Sequence, residues 1–202
     1  MNEKRATNFV LVGVGGQGTL LASNILAEVG LAAGYDVKKS EVHGMAQRGG
    51  SVITHVRWHP DQVFSPLVGR GEADILLSFE KMEAIRFAEF LKPGGTAVVN
   101  EMAVVPVTVS AGGAQYPEDQ SLQQVFGALG AGVIMVPGEK LAREAGNVKA
   151  ANVVLLGAIS RLLPLPEEVW WECLSQRIPP KFLDLNRTAF ASGLAMVPAA
   201  QS

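Results

Sequence analysis

The sequence predicts an α/β fold, and three features of the chain carry this prediction. Short apolar stretches rich in β-branched residues alternate with segments of helical period through residue 146. A glycine-rich turn joins the first apolar stretch to the first helix. The C-terminal third has three helical segments and no strand between them. We therefore expect a Rossmann-like, mostly parallel sheet flanked by helices, with a helical C-terminal region.

Apolar periodicity and turn residues give the order of the elements. The predicted strands cover residues 8–14, 35–42, 51–59, 73–79, 96–100 and 131–136. The predicted helices cover residues 17–33, 80–91, 119–129, 138–145, 150–163, 166–178 and 180–196. The first strand, helix and second strand predict a βαβ unit with a right-handed crossover. Residues 101–120 read as irregular, with one candidate strand near 104–109.

No linker divides the chain, so we expect a single domain over residues 1–202. Its sheet core would cover residues 8–146, and the C-terminal helices of 148–196 would pack on that core. On the strand at 51–59, the alternation places His55 and Arg57 on one face, which we expect to be exposed.

The composition excludes several classes of function. The net charge is −2, so no basic field favours nucleic acid or an anionic membrane. The single cysteine, Cys173, rules out an internal disulfide and a self-contained iron–sulfur cluster, which needs about four thiolates. The three histidines show no metal-ligand spacing, so we predict no metal site. With no signal peptide and no apolar segment long enough to span a bilayer, a cytoplasmic location is expected.

The turn at 13–18 has the spacing Gly-x-Gly-x-x-Gly between a strand and a helix. In that arrangement free backbone amides and the helix dipole hold a phosphate at the helix N-terminus. The dinucleotide form of this turn also needs an acidic residue at the end of the second strand, and Glu41 lies at about the right distance along the chain. Two alternatives explain the same glycines: tight packing without any ligand, and contact with a partner chain through the polar side chains of Gln17 and Thr19.

The loop HGMAQRGG at 43–50 is the second unusual stretch. Arg48 beside Gly49 and Gly50 offers a bidentate grip on a carboxylate or phosphate, and His43 offers a proton donor. A solvated loop with an incidental cation is the alternative. Glu80 follows a buried strand at its carboxyl end, where it is either a ligand contact or a charge at a helix N-terminus. We find no catalytic set: GxSxG, a Cys/His pair and paired carboxylates are all missing.

Five stretches together resemble a known family. They are VGVGGQGTLLASNILAEVG, SEVHGMAQRGGSVITHVR, GEADILLSFEKMEAIR, NVVLLGAI and FLDLNRTAFASG. They resemble the smaller (beta) subunit of indolepyruvate:ferredoxin oxidoreductase, which is similar to the gamma subunit or domain of the wider 2-oxoacid:ferredoxin oxidoreductases. The resemblance runs from about Asn8 to Gly193. The GGQG turn belongs to the whole group, while MAQRGG and ADxLLSFEKMEAxR are more specific to the arylpyruvate branch.

The resemblance implies an accessory subunit. Such enzymes decarboxylate a 2-oxoacid oxidatively, attach the acyl group to coenzyme A and pass two electrons to ferredoxin. Thiamine diphosphate and iron–sulfur clusters would belong to a larger catalytic subunit, through which ferredoxin is reached. Coenzyme A is the one ligand that this chain would help to hold. The candidate binding residues are Gly13, Gly15, Gly16, Gln17, Gly18, Thr19, Arg48 and Gly49.

Two other functions remain open from the sequence. One is a free-standing NAD(P)-binding oxidoreductase that uses the same turn, although no proton donor for it is evident. The other is a homo-oligomeric scaffold, with Trp170 and Trp171 as candidate interface residues because aromatic side chains are enriched at interface hot spots. A tryptophan pair on one helix is more often part of the core, and that is the favoured interpretation of these two residues.

Overall fold

The computed structural model describes residues 4–43, 50–104, 116 and 119–198, without the side chain of His43. The six strands are β1 (Thr7–Val14), β2 (Asp36–His43), β3 (Ser51–His59), β4 (Ala73–Ser78), β5 (Leu91–Asn100) and β6 (Gly132–Val136). The α-helices in this part are α1 (Thr19–Ala32), α2 (Lys81–Arg86), α3 (Asp119–Ala128), α4 (Gly138–Glu144), α5 (Ala151–Ser160), α6 (Glu167–Arg177) and α7 (Leu183–Ala195). Short 3₁₀ turns cover Ala88–Phe90, Val148–Ala150 and Pro180–Phe182.

The strands form one mixed sheet in the order β2-β3-β1-β4-β5-β6. The β1–β4, β4–β5 and β5–β6 pairs are parallel, whereas β3 is antiparallel to both β1 and β2. The mostly parallel sheet is thus confirmed. The expectation that β1, α1 and β2 form a simple βαβ unit is wrong in one respect, because β3 inserts as the return strand of a hairpin and separates β2 from β1.

Helices cover the two faces of the sheet and bury two apolar clusters. On one face α1, α5, α6 and α7 pack over alternate residues of β1, with Leu11, Leu26 and Leu155 fully buried. On the other face Val10, Val12 and Phe126 belong to a second cluster, under α2 and α3. Trp170 is fully buried and packs near Phe190 in the first cluster. It is therefore a core residue and not the interface residue considered from the sequence.

Helices α5 and α7 touch through their backbones. A Cβ atom on Gly157 would lie 2.1 Å from the Phe190 carbonyl oxygen, and one on Gly193 would lie 1.8 Å from the Val154 carbonyl oxygen. Both distances are far below any real carbon–oxygen contact, so only glycine permits this crossing. The close approach fixes the C-terminal helices against α5, which in turn packs on the sheet.

The helix expected over 80–91 is too long. It ends at Arg86, and Leu91 already belongs to β5, where it pairs with Ala73 and is buried.

The prediction that His55 is exposed is also wrong. The residue is 5% exposed, because the segment after β3 folds back over it and Val68 N donates to His55 Nδ1. Burial lowers the pKa of His55 and keeps the ring neutral. Arg57 is likewise engaged, donating to Asn8 Oδ1 and to the Leu67 carbonyl.

Parts of two predictions concern residues outside the described part of the chain. Most of the candidate strand at 104–109 and the loop residues 44–49 lie outside the described part. Within the described part, no helix is long and apolar enough to cross a membrane.

Candidate functional site

The glycine turn between β1 and α1 has a backbone that only glycine adopts readily. Gly16 and Gly18 have φ values of +100° and +83°, in the left-handed region. Gly18 is the N-cap of α1, and no side chain caps this helix end. The first turn of α1 also has no acidic residue. The partial positive charge of the helix N-terminus, about half a unit, is therefore not neutralised from within the turn.

The chain's own side chains fill part of this corner. Gln17 folds back, so that Val14 N donates to Gln17 Oε1 at 2.7 Å, and Gln17 Nε2 contacts Met102 Sδ at 3.3 Å. A Cβ on Gly13 would lie 2.8 Å from Gln17 Oε1, and one on Gly18 would lie 2.0 Å from Asn152 Nδ2. Intramolecular packing therefore explains these two glycines. A Cβ on Gly16, in contrast, would meet no atom of the described residues within 4 Å, so none of these residues packs against this position.

Thr19 lies inside the turn. The residue is 4% exposed, and Oγ1 has no hydrogen-bond partner among the described residues. The hydroxyl lies 3.0 Å from the position of a Cβ on Gly13. The predicted binding residues Gly13 and Thr19 thus form the floor of the turn, whereas Gly16 is at its surface.

The loop of 43–50 begins and ends beside the glycine turn. Gly15 N donates to the Gly50 carbonyl at 2.8 Å, and Val14 pairs with Ser51 in the β1–β3 ladder. The hairpin loop between β2 and β3 and the turn after β1 therefore share one corner of the sheet. Arg48 and Gly49, which were predicted as binding residues, lie outside the described residues.

A cleft opens from the glycine turn along the carboxyl ends of the parallel strands. One cavity of about 430 Å³ is lined by Gly16, Gln17 and Gly18 from the glycine turn, by Lys149 from the 3₁₀ turn before α5, and by Asn152 from the start of α5. A second cavity of about 410 Å³ adjoins it and shares Asn100, Met102 and Glu139 with the first. Ligands of open α/β sheets bind at this edge, where neighbouring strands connect in opposite directions. Here that point lies between β1 and β4.

Asn100 fixes the floor of the cleft. Its side chain is buried, and Nδ2 donates to the Phe79 carbonyl at 3.2 Å, while Gly138 N donates to Oδ1 at 3.1 Å. The amide thereby ties the ends of β4 and β5 to the start of α4.

Groups of positive charge border the first cavity. The N-terminus of α1 lies on its wall with no side-chain cap and no acidic residue in its first turn, whereas α5 continues from the 3₁₀ turn Val148–Ala150, which Asn147 Oδ1 caps by accepting from Lys149 N. Lys149 is exposed and makes no ion pair with any described carboxylate, whereas Glu139, the acidic residue on the same wall, pairs with Arg143 at 3.3 Å. The α1 N-terminus and the Lys149 ammonium on the walls of one cavity favour an anionic group, such as a phosphate.

Two buried carboxylates beside the cleft support the structure. Glu80 is 1% exposed and caps α2 by accepting from Glu83 N at 2.9 Å. Of the two roles predicted for Glu80, this is the charge at a helix N-terminus. It also accepts from Val104 N at 3.0 Å and from the Tyr116 hydroxyl. Glu83 accepts from Ser51 Oγ, and burial raises its pKa. All of these oxygens face protein donors, which makes the pair unsuited to acid–base catalysis on a ligand.

The strand order contradicts the hypothesis that the glycine turn binds a dinucleotide with Glu41 on its ribose. In that reading Glu41 must lie at the end of the strand next to β1, but β3 occupies that position and Glu41 pairs with Thr54. Two strand spacings, roughly 10 Å, therefore separate the backbones of β1 and β2. The Glu41 carboxylate contacts the Lys39 ammonium instead.

Sequence reasoning missed the far wall of the cleft. Lys149, Asn152 and Asn100 lie far from the glycine turn along the chain, and only folding brings them to it. Asn152 gave one signal, since it is a polar residue at the start of the apolar stretch NVVLLGAI. No group of histidine, cysteine or acidic side chains in the described ranges has the geometry of a metal site.

Comparison with known proteins gives consistent matches over nearly the whole chain. The family model of pyruvate ferredoxin/flavodoxin oxidoreductase matches residues 8–196. The indolepyruvate oxidoreductase subunit IorB of Thermococcus kodakarensis is 46% identical over 190 residues, which cover 93% of this chain and 94% of that protein.

Two solved structures share the fold. The gamma subunit of a keto/oxoacid ferredoxin oxidoreductase from Geobacter sulfurreducens superposes with a TM-score of 0.70 at 24% identity, covering 94% of this chain and 97% of the other. The 2-oxoglutarate:ferredoxin oxidoreductase of Magnetococcus marinus, solved with 2-oxoglutarate, coenzyme A and succinyl-CoA, gives a TM-score of 0.75 at 21% identity. That match covers 99% of this chain but only 33% of the longer polypeptide.

Proposed function

This chain belongs to the pyruvate ferredoxin/flavodoxin oxidoreductase family, and on that premise we propose that it is the accessory subunit of an indolepyruvate-type 2-oxoacid:ferredoxin oxidoreductase. The observation that carries the proposal is the near-full-length likeness to an indolepyruvate oxidoreductase subunit. An identity of this size over both whole chains favours the same role in the same kind of complex. The free-standing NAD(P) enzyme is not supported, because the strand order removes its ribose contact.

The catalytic cofactors belong on a larger partner subunit. The one cysteine of this chain, Cys173, is buried in the helical layer, and an iron–sulfur cluster needs about four thiolates. Nor do the described residues offer a cluster of acidic and histidine ligands for the metal ion of a diphosphate cofactor. In that partner, thiamine diphosphate would supply the decarboxylation chemistry, and iron–sulfur clusters would supply the path for electrons to ferredoxin. The cytoplasmic location stays a prediction.

The part of the reaction assigned to this chain is to hold coenzyme A. The cavity between α1 and α5 has room for a phosphate group, and its walls offer backbone amides at Gly16 and Gly18 and the ammonium of Lys149. Gln17 and Asn152 shape the opening from either side. Arg48 and Gly49 remain candidates from the sequence alone: they directly precede Gly50, whose carbonyl accepts from Gly15 N, and a guanidinium is suited to a phosphate.

A co-expression experiment tests the proposed function. The chain should be tagged and expressed with the larger thiamine-dependent subunit encoded in the same cell. We expect a stable complex that reduces ferredoxin with indolepyruvate only when coenzyme A is present, and much less so with pyruvate. A larger subunit that purifies without this chain and retains full coenzyme A-dependent activity would contradict the proposal.

Lys149→Ala should raise the KM for coenzyme A in the assembled enzyme by about tenfold, which corresponds to about 1.4 kcal/mol. The kcat at saturating coenzyme A and the KM for the 2-oxoacid should not change, because the ammonium contacts neither the oxoacid nor the reaction centre. Lys181→Ala is the matched control, since Lys181 lies over the Phe182 ring, outside the cleft. Equal KM values for the two variants would assign Lys149 no role in binding.

Arg48→Ala should weaken coenzyme A turnover while leaving the melting temperature of the isolated chain unchanged, because the sequence predicts a loop at 43–50 and a loop charge contributes little to stability. Steady-state kinetics on the complex and thermal denaturation of the subunit measure the two effects separately. An unchanged KM for coenzyme A in the Arg48→Ala enzyme would show that Arg48 does not contribute to coenzyme A binding.

A further inference from the structure

A third cavity lies at the edge of the sheet opposite the glycine turn. Its volume is about 610 Å³, and its walls come from the amino ends of β1, β4 and β5 and from the segment that follows α5. Thr7 is at this cavity and Val14 is at the glycine turn, so the length of β1, about 23 Å, separates the two sites. A cavity of this volume falls within the usual range for ligand sites, about 300–1,000 Å³. The proposed function makes no use of it.

One wall of the third cavity is apolar and has a fixed shape. The buried rings of Tyr35 and Trp58 belong to it, with centroids 5.4 Å apart. Beside them lies the segment LLPLP at 162–166, in which Leu165 N donates to the Leu163 carbonyl at 2.8 Å. Proline fixes φ at two positions of this segment, so its backbone loses little freedom when a ligand binds. The wall is therefore preformed for a hydrophobic group, and its two rings favour an aromatic one.

The opposite wall is formed by an irregularity in the sheet. Where the register of β4 and β5 shifts, residues 92–95 of β5 lie opposite the single residue Asp74. Such bulges change the direction of side chains, and they are over-represented at sheet edges and beside active sites. Here the bulge brings Lys92 and the backbone of Gly94 and Gly95 to the cavity. This wall is polar, in contrast to the one across from it.

The charges around the third cavity leave an excess of positive charge. Among its described lining residues Asp74 alone is acidic, and both of its oxygens are engaged, one by the Lys92 ammonium and one by a backbone amide of β1 at 2.7 Å. Arg5 also lines the cavity and is exposed, and its guanidinium has no ion pair or hydrogen bond with any described residue. The last carbonyls of α5, at the same edge, accept from Leu162 N and Leu163 N. An unpaired guanidinium is suited to a carboxylate, which it binds through two parallel hydrogen bonds.

We propose that the third cavity binds a small aromatic carboxylate, with the carboxylate on Arg5 and the ring against residues 162–165. Each half of the ligand follows from one wall. An anion without an apolar body would leave the apolar wall in contact with water, and a neutral aromatic molecule would leave the guanidinium without a partner. The site does not depend on the proposed function, because it shares no residue with the cleft at the glycine turn.

Titration of the full chain with three probes, followed by NMR, tests the proposal. Phenylacetate has both the ring and the carboxylate, 2-phenylethanol has the ring without the charge, and acetate has the carboxylate without the ring. We expect phenylacetate to bind at one site with a Kd below about 1 mM, and the other two probes to bind at least about tenfold more weakly. Acetate that binds as tightly as phenylacetate, or phenylacetate that does not bind, would overturn the proposal.

Arg5→Ala should weaken phenylacetate binding by about tenfold and leave the binding of 2-phenylethanol unchanged, because only the carboxylate contacts the guanidinium. The substitution is tolerated because position 5 is exposed, and thermal melting of the variant checks that the fold is retained. Arg70→Ala is the matched control, since Arg70 is also exposed but pairs with Glu89 outside the cavity. Equal affinities of the two variants for phenylacetate would contradict the assignment of the carboxylate to Arg5.

Lys149→Ala distinguishes the third cavity from the cleft at the glycine turn. It should leave the affinity for phenylacetate unchanged, because Lys149 lines the cleft and not the third cavity. Binding that is lost in Lys149→Ala and retained in Arg5→Ala would place the ligand in the cleft and overturn the proposal. The Arg5-dependent binding should also persist in the assembled enzyme. Its disappearance there would mean that a partner chain covers the cavity, which would equally overturn a ligand site at this edge.

Discussion

Gly193→Ala is expected to lower the free energy of unfolding by about 3 kcal/mol, the upper part of the usual range for overpacking. The added methyl group would lie 1.8 Å from the Val154 carbonyl oxygen and 2.6 Å from its carbon, and both are backbone atoms that no side-chain rotation can move. Helices α5 and α7 would have to separate, and the buried cluster that includes Leu155 and Phe190 would lose contacts. For a chain of this size the melting temperature should fall by about 6–12 °C.

Gly127→Ala is the matched control for that substitution. Gly127 is near the end of α3, and an added Cβ there would meet nothing within 4 Å. Alanine favours the helix over glycine, so this variant should be as stable as the wild type or more stable by up to about 1 kcal/mol. Denaturant unfolding of the three proteins gives the comparison. A Gly193→Ala chain as stable as Gly127→Ala would mean that α5 and α7 do not cross at this distance.

Gly18→Ala is expected to lower the free energy of unfolding by about 2 kcal/mol and to raise the KM for coenzyme A. Alanine at φ +83° costs about 1–2 kcal/mol. The methyl group would in addition displace Asn152, whose Nδ2 lies 2.0 Å from that position, and so change the wall of the cavity. The combined loss of stability and binding distinguishes this residue from a glycine needed only for the turn.

Two further variants separate the strain of the backbone from the contact with Asn152. Gly71 has φ +73°, and an added Cβ there would meet no described atom within 4 Å. Gly71→Ala should therefore lower the free energy of unfolding through backbone strain alone, without a clash, and should leave the KM for coenzyme A unchanged. Adding Asn152→Ala to Gly18→Ala should restore part of the stability, because the clash disappears while the strain stays. If the second substitution restores nothing, Asn152 does not pack on Gly18.

Local sequence patterns were sufficient to predict the strand and the helix on either side of the glycine turn. β1, the turn and α1 are adjacent in the chain, and apolar periodicity with glycine spacing described all three. β3 matched its predicted bounds of 51–59 as well. In each case the determining contacts lie within a few residues, where alternation and helical period report burial directly.

Features that depend on contacts between distant parts of the chain could not be predicted from the sequence. Nothing in the sequence of β3 indicates that it lies between β1 and β2, because the choice of strand neighbours depends on non-local hydrogen bonds. His55 read as exposed because the segment that covers it, through Val68, comes later in the chain. Similarly, only the folded chain brings Lys149 and Asn152 to Gly18.

Cryo-electron microscopy of the assembled enzyme with coenzyme A tests most directly whether this chain contributes the coenzyme A site. We expect a phosphate of the ligand within hydrogen-bond distance of the Gly16 or Gly18 amide and of Lys149 Nζ, with its thiol directed across the interface toward the larger subunit. Coenzyme A bound wholly within the larger subunit, with the cavity between α1 and α5 filled by protein side chains, would contradict it.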